Sequence, residues 1–291
     1  MGSFAMSLIN KTADYLRLIK FSHSIFALPF AFTGALIAAG GIPELKQIFW
    51  ITLAMIGART GAMGVNRIID MKIDALNPRT EKRELPRGVM STLEASIFTT
   101  LAFAVFLLAA YMLNPLCFSL SPLAILVLLL YPYTKRFTSL SHVVLGLALS
   151  FAPLGAWIAV RGSINIEVLP ITLAVLLWVA GFDIFYALQD LEFDRTHGLY
   201  SIPSRLGVGT SLLLARIFHV TTILLLMSLV PIFDLGGIYL AGIVISAILL
   251  LYEHLLVKPS DLSRIDMAFF NMNGYISITV FVFTLFEYLV R

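Results

Sequence analysis

Residues 92–133 read TLEASIFTTLAFAVFLLAAYMLNPLCFSLSPLAILVLLLYPY. Two apolar runs, 92–113 and 116–133, stand either side of Asn114 and Pro115, a break barely longer than a turn. At ~1.5 Å per residue, each run is long enough as a helix to cross ~30 Å of hydrocarbon. Runs of the same kind recur near residues 24–40, 46–64, 142–160, 168–188, 209–231, 236–257 and 267–289, which makes nine expected spans. They are too long and too uniformly apolar for barrel strands, and lipid satisfies no exposed backbone group. The expected fold is therefore all-α, a polytopic bundle of nine transmembrane helices. No stretch is left over for a soluble domain, so residues 1–291 are read as a single membrane domain.

Composition agrees. Charged residues make up 13% of the chain and hydrophobic ones 59%, where soluble domains carry roughly 25% charged residues. The first run resembles a secretory signal in having a basic start. Bulky Phe26, Phe30 and Phe32, Pro29, and the spans that follow at once make it a retained span instead. Cys117, the one cysteine, has no partner for an internal disulfide and no zinc-ligand spacing around it.

The net charge of +3 matters less than where the charges fall. Lys11, Arg17 and Lys20 precede the first span. Arg67, Lys72, Arg79, Lys82, Arg83 and Arg87 fill the second connection, Lys135 and Arg136 the fourth, Arg195 and Arg205 the sixth, and Lys258 and Arg264 the eighth. With nine spans all of these lie on one side, against Lys46, Arg161 and Arg291 on the other. The positive-inside rule then puts the N-terminus and the even connections in the cytoplasm and the C-terminus outside, in a bacterial-type inner membrane. The expected partners are lipid and small molecules, not nucleic acid. The second connection, residues 66–91, is long, charged and rich in turn formers, so function is expected at the cytoplasmic face.

That connection opens with NRIIDMKIDALNPRTEKRELPRG, in which Asn66, Asp70 and Asp74 are spaced by four. On a continuing helix they share a face, and their oxygens converge on a cation. The sixth span ends in GFDIFYALQDLEFDRTHG, with Asp190 and Asp194 four apart and Asp183 further back on almost the same stripe. An ionisable group at membrane depth is a site hypothesis by default. Two opposed carboxylate pairs repel unless cations lie between them, and Mg²⁺ suits this role, taking carboxylate and phosphate oxygens together. A single DxxxD at a helix end is more often a solvated ion pair than a metal site; two copies at the same membrane face carry the argument. Arg59, Arg67, Lys72, Lys135, Arg136, Arg195 and Arg205 lie on the same side as donors for a diphosphate. Arg79 and Arg83 are either a lid over it or a solvated face, and the long loop with Pro78 and Pro86 favours the lid. Arg17, Lys20 and His23 are either a clamp for an acceptor carboxylate or membrane anchors. His142, His197, His219 and His254 lack ligand spacing and read as interfacial.

On these residues the chain resembles the UbiA superfamily of intramembrane aromatic prenyltransferases. Asn66, Asp70 and Asp74 match the family's NxxxDxxxD, and Asp190 and Asp194 its DxxxD. Tyr131 and Lys135 in YPYTKR fit its YxxxK, and Asp183 and Tyr186 in GFDIFYALQD match as well. KFSHSIFALPFAF and NRIIDMKIDALNPRTEKRELP look most similar to the 4-hydroxybenzoate polyprenyltransferase-like branch. The resemblance implies a Mg²⁺-dependent enzyme that transfers a polyprenyl group from polyprenyl diphosphate to the carbon ortho to the hydroxyl of 4-hydroxybenzoate, in ubiquinone-type biosynthesis. Asp183, Tyr131 and Lys135 are then the expected catalytic residues, with either Asp183 or a diphosphate oxygen taking the ring proton. Arg67 stands where many relatives have Asp, as in a branch that prenylates a dihydroxynaphthoate for menaquinone, which keeps that acceptor in play.

Two other classes compete. CDP-alcohol phosphotransferases also embed DxxxD carboxylates, but no Asp-Gly precedes Ala58 and Arg59 here. An ion-coupled transporter would hold its acids near the midplane on broken helices, whereas these cluster at one face. Chain length of the donor and oligomeric state are left open by the sequence.

Overall fold

The structure is a computed structural model that describes Tyr15, Leu18, residues 27–257, Ile265 and residues 271–291. Among the described residues every regular element is helical. In chain order these are α1 (Ala27–Ala39), α2 (Leu45–Asp74), α3 (Thr92–Leu113), α4 (Pro115–Thr134), α5 (Ser141–Arg161), α6 (Leu169–Ala187), α7 (Leu191–Thr196), α8 (Ile202–Phe233), α9 (Gly237–Leu256) and α10 (Asn273–Val290), with 3-10 turns at Ile166–Val168 and Leu188–Asp190. Among the described residues eight helical stretches are long and apolar enough to cross a membrane, and the chain is a multi-pass membrane protein. The ninth expected span corresponds to α1, 13 residues long; residues 24–26 of that expectation lie outside the described residues.

The hairpin of residues 92–133 forms as α3 and α4. Asn114 ends the first helix and caps the second, its Oδ1 accepting from the Cys117 amide at 2.9 Å, with Pro115 in the first turn. Its Nδ2 donates to the Ile158 carbonyl at 2.8 Å and so ties the turn to α5. Leu93, Leu101, Leu108, Leu123 and Leu126 on this hairpin are exposed, as lipid-facing residues must be.

α6 is apolar all round and lies at the centre of the bundle. Trp178 is completely buried, its ring 4.9 Å from Phe30 of α1 and 5.0 Å from Phe182. α5 and α8 pack along α6, α1 closes against α5 and α10, and α2 packs on α3. The α5–α6 contact is close because Gly146 has no side chain: a Cβ there would sit 2.2 Å from the Leu176 carbonyl oxygen. That approach sets the start of α5 beside the end of α6.

Two boundaries differ from the hydropathy reading. α2 continues to Asp74, ten residues past the expected apolar end, because its last turns leave the apolar region and carry the motif. α8 begins at Ile202 instead of 209, with one non-helical residue, Gly207 (φ 78°, ψ 170°), inside it. The glycine-rich RLGVG stretch hides this start from hydropathy. A third difference bears on the site. α6 stops at Ala187 and one 3-10 turn intervenes before α7. Asp183, Asp190 and Asp194 therefore do not share one unbroken α-helical stripe, since the tighter turn shifts the register.

Candidate active site

The ends of α2, α4 and α6 and the starts of α5 and α8 meet at one end of the bundle, and the loop 75–91 folds back over them. Leu85 and Met90 anchor that loop by burying against Ala95 and Leu18.

Asp70 and Asp74 lie on one face of α2 and are almost fully buried, at 2% and 5% exposure. Side by side they would repel, and each has its own cation. Lys135 Nζ donates to Asp70 Oδ2 at 2.5 Å, and Asn66 Nδ2 adds a bond to the same oxygen at 3.3 Å. Arg136 donates to the Ile69 carbonyl at 2.8 Å and stands 3.5 Å from Asp70 Oδ1. Among the described residues nothing donates a hydrogen bond to Oδ1. Arg83 Nη1 bridges both oxygens of Asp74 at 2.8 and 2.7 Å, while Arg67, buried, reaches 4.0 Å from Asp74 and donates to the Leu18 carbonyl.

The second motif is tied to the same loop. Arg79 forks onto both oxygens of Asp190 through Nε and Nη2, donates from Nη1 to the Tyr186 hydroxyl at 2.6 Å, and lies 4.8 Å from that ring's centre. Asn77 donates to Asp190 at 2.9 Å and accepts from the Arg79 amide at 2.9 Å, which fixes the loop's first turn. Beside Asp190, Asp194 has no ion-pair partner among the described residues; it hydrogen-bonds Ser201 and feels Lys135, the cation that also holds Asp70. The two motifs thus face one compartment. Among the described residues, no three acidic, His or Cys side chains close into a ready-made cation cage; Asp70, Asp74 and Asp190 are instead paired with Lys135, Arg83 and Arg79.

Towards the bundle centre, Tyr131 lies within electrostatic reach of Asp70, Asp183, Arg59 and Tyr186. Asp183 accepts at 2.7 Å from His142. Below this group runs an apolar cavity of about 310 Å³ between α2, α3, α4 and α5. Ala54, Ala58 and Ala62 line it, and the same four-residue spacing then continues into Asn66, Asp70 and Asp74. Among the described residues Arg59 is the one charged side chain in the lining, and its Nε is buried without a hydrogen-bond partner there.

Other expected site residues stand apart. Lys72 is exposed on α2, Arg195 pairs with Glu192 at 3.4 Å, and Arg205 stacks on Tyr200 at 3.9 Å. Arg17, Lys20 and His23 lie outside the described residues.

Residues 27–275 match the UbiA prenyltransferase family. The chain belongs to this family. Its 4-hydroxybenzoate octaprenyltransferase relative from Vibrio cholerae is 32% identical over 246 residues, covering 84% of this chain and 86% of that one. The apo structure of a UbiA homologue from Aeropyrum pernix K1 superposes with a TM-score of 0.82 at 34% identity, over 90% of this chain and 96% of that one. A more distant UbiA homologue, from Archaeoglobus fulgidus and solved with DMAPP and Mg²⁺, shares the fold at a TM-score of 0.67 and 20% identity, over 92% and 99% of the two chains. Family and relatives mark this UbiA protein as a transferase.

His142 and Asn77 escaped the sequence reading. Asn77 stands in a polar loop with nothing to single it out, and its partner is 113 residues away. By sequence His142 reads as one of several scattered interfacial histidines, yet it is 3% exposed at a helix start beside the half-buried Asp183.

Proposed function

We propose that the protein transfers a polyprenyl group from polyprenyl diphosphate to the ring carbon ortho to the hydroxyl of 4-hydroxybenzoate, releasing diphosphate, in respiratory-quinone biosynthesis. The observation that carries this reading is the apolar cavity with a lone, incompletely bonded arginine at its head, directly below two acidic motifs. The cavity matches a long hydrocarbon tail, Arg59 matches an aromatic carboxylate, and the polar roof matches a diphosphate.

The donor set fits Mg²⁺. Asp70 Oδ1 is a buried acceptor without a hydrogen bond, and Asp194 lacks a cation among the described residues. Hard carboxylate oxygens shared with phosphate are what this ion takes. Asn66, Asp70, Asp74, Asp190 and Asp194 would hold it, and when bound it stabilises negative charge on the leaving diphosphate. Lys135 and Arg136 add positive charge on the Asp70 side. Arg79 and Arg83 hold the loop over the site and exchange carboxylate for phosphate oxygens when the donor enters, with Tyr186 steadying Arg79. Arg67 keeps Asp74 oriented. The cavity walls exclude water from the allylic cation, Arg59 orients the acceptor, and Asp183, with Tyr131 beside it, accepts the ring proton. The basic residues of the even connections favour an inner-membrane protein with this end in the cytoplasm, built as one unit over residues 1–291.

The deciding assay supplies purified protein with Mg²⁺, a polyprenyl diphosphate, 4-hydroxybenzoate and a dihydroxynaphthoate, and identifies the lipid product by mass spectrometry. Prenylated hydroxybenzoate is expected, lost on chelation of Mg²⁺ and in Asp70→Ala and Asp190→Ala; a prenylated naphthoate would move the protein to the menaquinone branch, and no product would refute the reaction. Losing a charge-assisted pair forfeits ~1.5–3 kcal/mol. Arg59→Gln should accordingly raise KM for the aromatic acid about 10- to 100-fold and leave KM for the donor nearly unchanged.

A further inference from the structure

We infer that His142 is a positioning residue, which fixes the orientation of Asp183 for removal of the ring proton. The inference rests on the proposed reaction and deepens it.

His142 joins three elements. It sits in the first turn of α5, Asp183 lies in the last turns of α6, and the close Gly146–Leu176 crossing one turn away brings them side by side. On its other edge the imidazole meets the start of α8. The Ile202 amide, one of the donors that a helix start leaves without an intrahelical acceptor, gives its hydrogen to His142 Nε2 at 3.2 Å. That bond needs a lone pair on Nε2. The ring proton therefore resides on Nδ1, where it is donated to Asp183 Oδ2 at 2.7 Å. A backbone amide whose hydrogen cannot rotate away thus sets the tautomer, and the tautomer sets the carboxylate.

Two consequences follow. His142 cannot take a second proton on Nε2 without breaking the Ile202 bond, so it orients and does not relay. Asp183 is engaged through Oδ2, and its side chain is 17% exposed against 4% for His142, so the carboxylate stays accessible while its partner is sealed. In the reaction, the allylic C–O bond breaks with its electron pair leaving on diphosphate, and a ring π pair forms the new C–C bond. The ring C–H bond then breaks; its pair restores aromaticity and the proton goes to Asp183. A base held by one fixed donor meets that C–H at a defined angle. Without the donor the carboxylate rotates freely and the last step slows.

The test uses full-length protein in detergent and three variants. His142→Phe removes the donor, His142→Asn keeps a donor nitrogen at the δ position, and His142→Gln places it one bond further out. A general base contributes ~10²–10⁴-fold, and losing its alignment should lower kcat about 10- to 100-fold in His142→Phe, with both KM values within about threefold. His142→Asn should recover most of the loss and His142→Gln little. With an acceptor deuterated ortho to the hydroxyl, wild type should give an isotope effect on kcat near 1, and His142→Phe one above about 2, because proton loss then limits turnover. Where His142→Phe does not fold, the Asn and Gln pair carries the comparison. Equal losses in Asn and Gln, kcat loss without an isotope effect, or unchanged kcat in His142→Phe would each reduce His142 to a structural pin and overturn the inference. A wild-type protein that forms no product is a separate result, which removes the reaction itself.

Discussion

Asp70 and Asp74 are expensive to bury: two carboxylates one helical turn apart, both almost fully sealed from solvent. Their stability depends on cations from other elements, Lys135 from the end of α4 and Arg83 from the loop. Removing one partner of a fully buried pair typically costs ~3–5 kcal/mol, because the other charge is left uncompensated. Lys135→Met should cost less, about 2–3 kcal/mol, since Arg136 stands 3.5 Å from Asp70 and Lys135 is partly exposed. The double variant Lys135→Met/Asp70→Asn should recover most of that loss in thermal unfolding while remaining inactive. If the double variant is no more stable than the single one, the pair does not carry this electrostatic load. At this scale the sequence was legible where chemistry repeats at helical spacing, as in Asn66, Asp70 and Asp74. It was not legible where one residue answers another from afar: the His142–Asp183 contact spans 41 positions, and only the α5–α6 crossing creates it.

Among the elements, α2 shows how one helix serves two environments. Its alanines at 54, 58 and 62 leave room for a cavity, and the same spacing further on delivers the polar cluster. Opposite them α5 presents Ala148, Ala152 and Gly155. A Cβ on Gly155 meets nothing within 4 Å, so a larger side chain there extends into the cavity without displacing backbone. Gly155→Phe should therefore leave folding nearly intact and shorten the usable cavity. Offered short and long polyprenyl diphosphates together, the variant should turn over the short donor at near wild-type rate and discriminate against the long one at least tenfold, read from the product mass spectrum. Unchanged selectivity would move the tail elsewhere. Hydropathy located α2 and α5 as spans but gave no sign of the space between them, which depends on which small residues face each other. Nor did it reveal the 3-10 turn after α6, since ALQDLEFDR holds no Gly or Pro to mark a break, and the Asp190 contacts to Asn77 and Arg79 are tertiary.

For the whole molecule, the placement of basic residues between the spans is what sets the expected orientation, because it reflects where a charged side chain is allowed to lie relative to lipid. The loop 75–91 and the 162–165 connection are joined to opposite ends of the antiparallel bundle, separated along α5 by 21 residues, or ~30 Å of helix. Lys82 and Ser163 are exposed in these two places. Cys117, the single native thiol, lines the cavity and is half-buried, so a Cys117→Ala background leaves one introduced thiol to report. If the basic residues around the first motif set the orientation, Lys82 faces inside: Lys82→Cys should react with a membrane-impermeant maleimide in inverted vesicles and stay unlabelled in intact cells, and Ser163→Cys should do the reverse. The reversed pattern would place the site on the outer face and overturn the orientation drawn from the basic residues. Labelling of both thiols from one side would contradict the odd number of crossings between them, and with it the spanning assignment of α3, α4 and α5 from which the position of Lys135 and His142 follows.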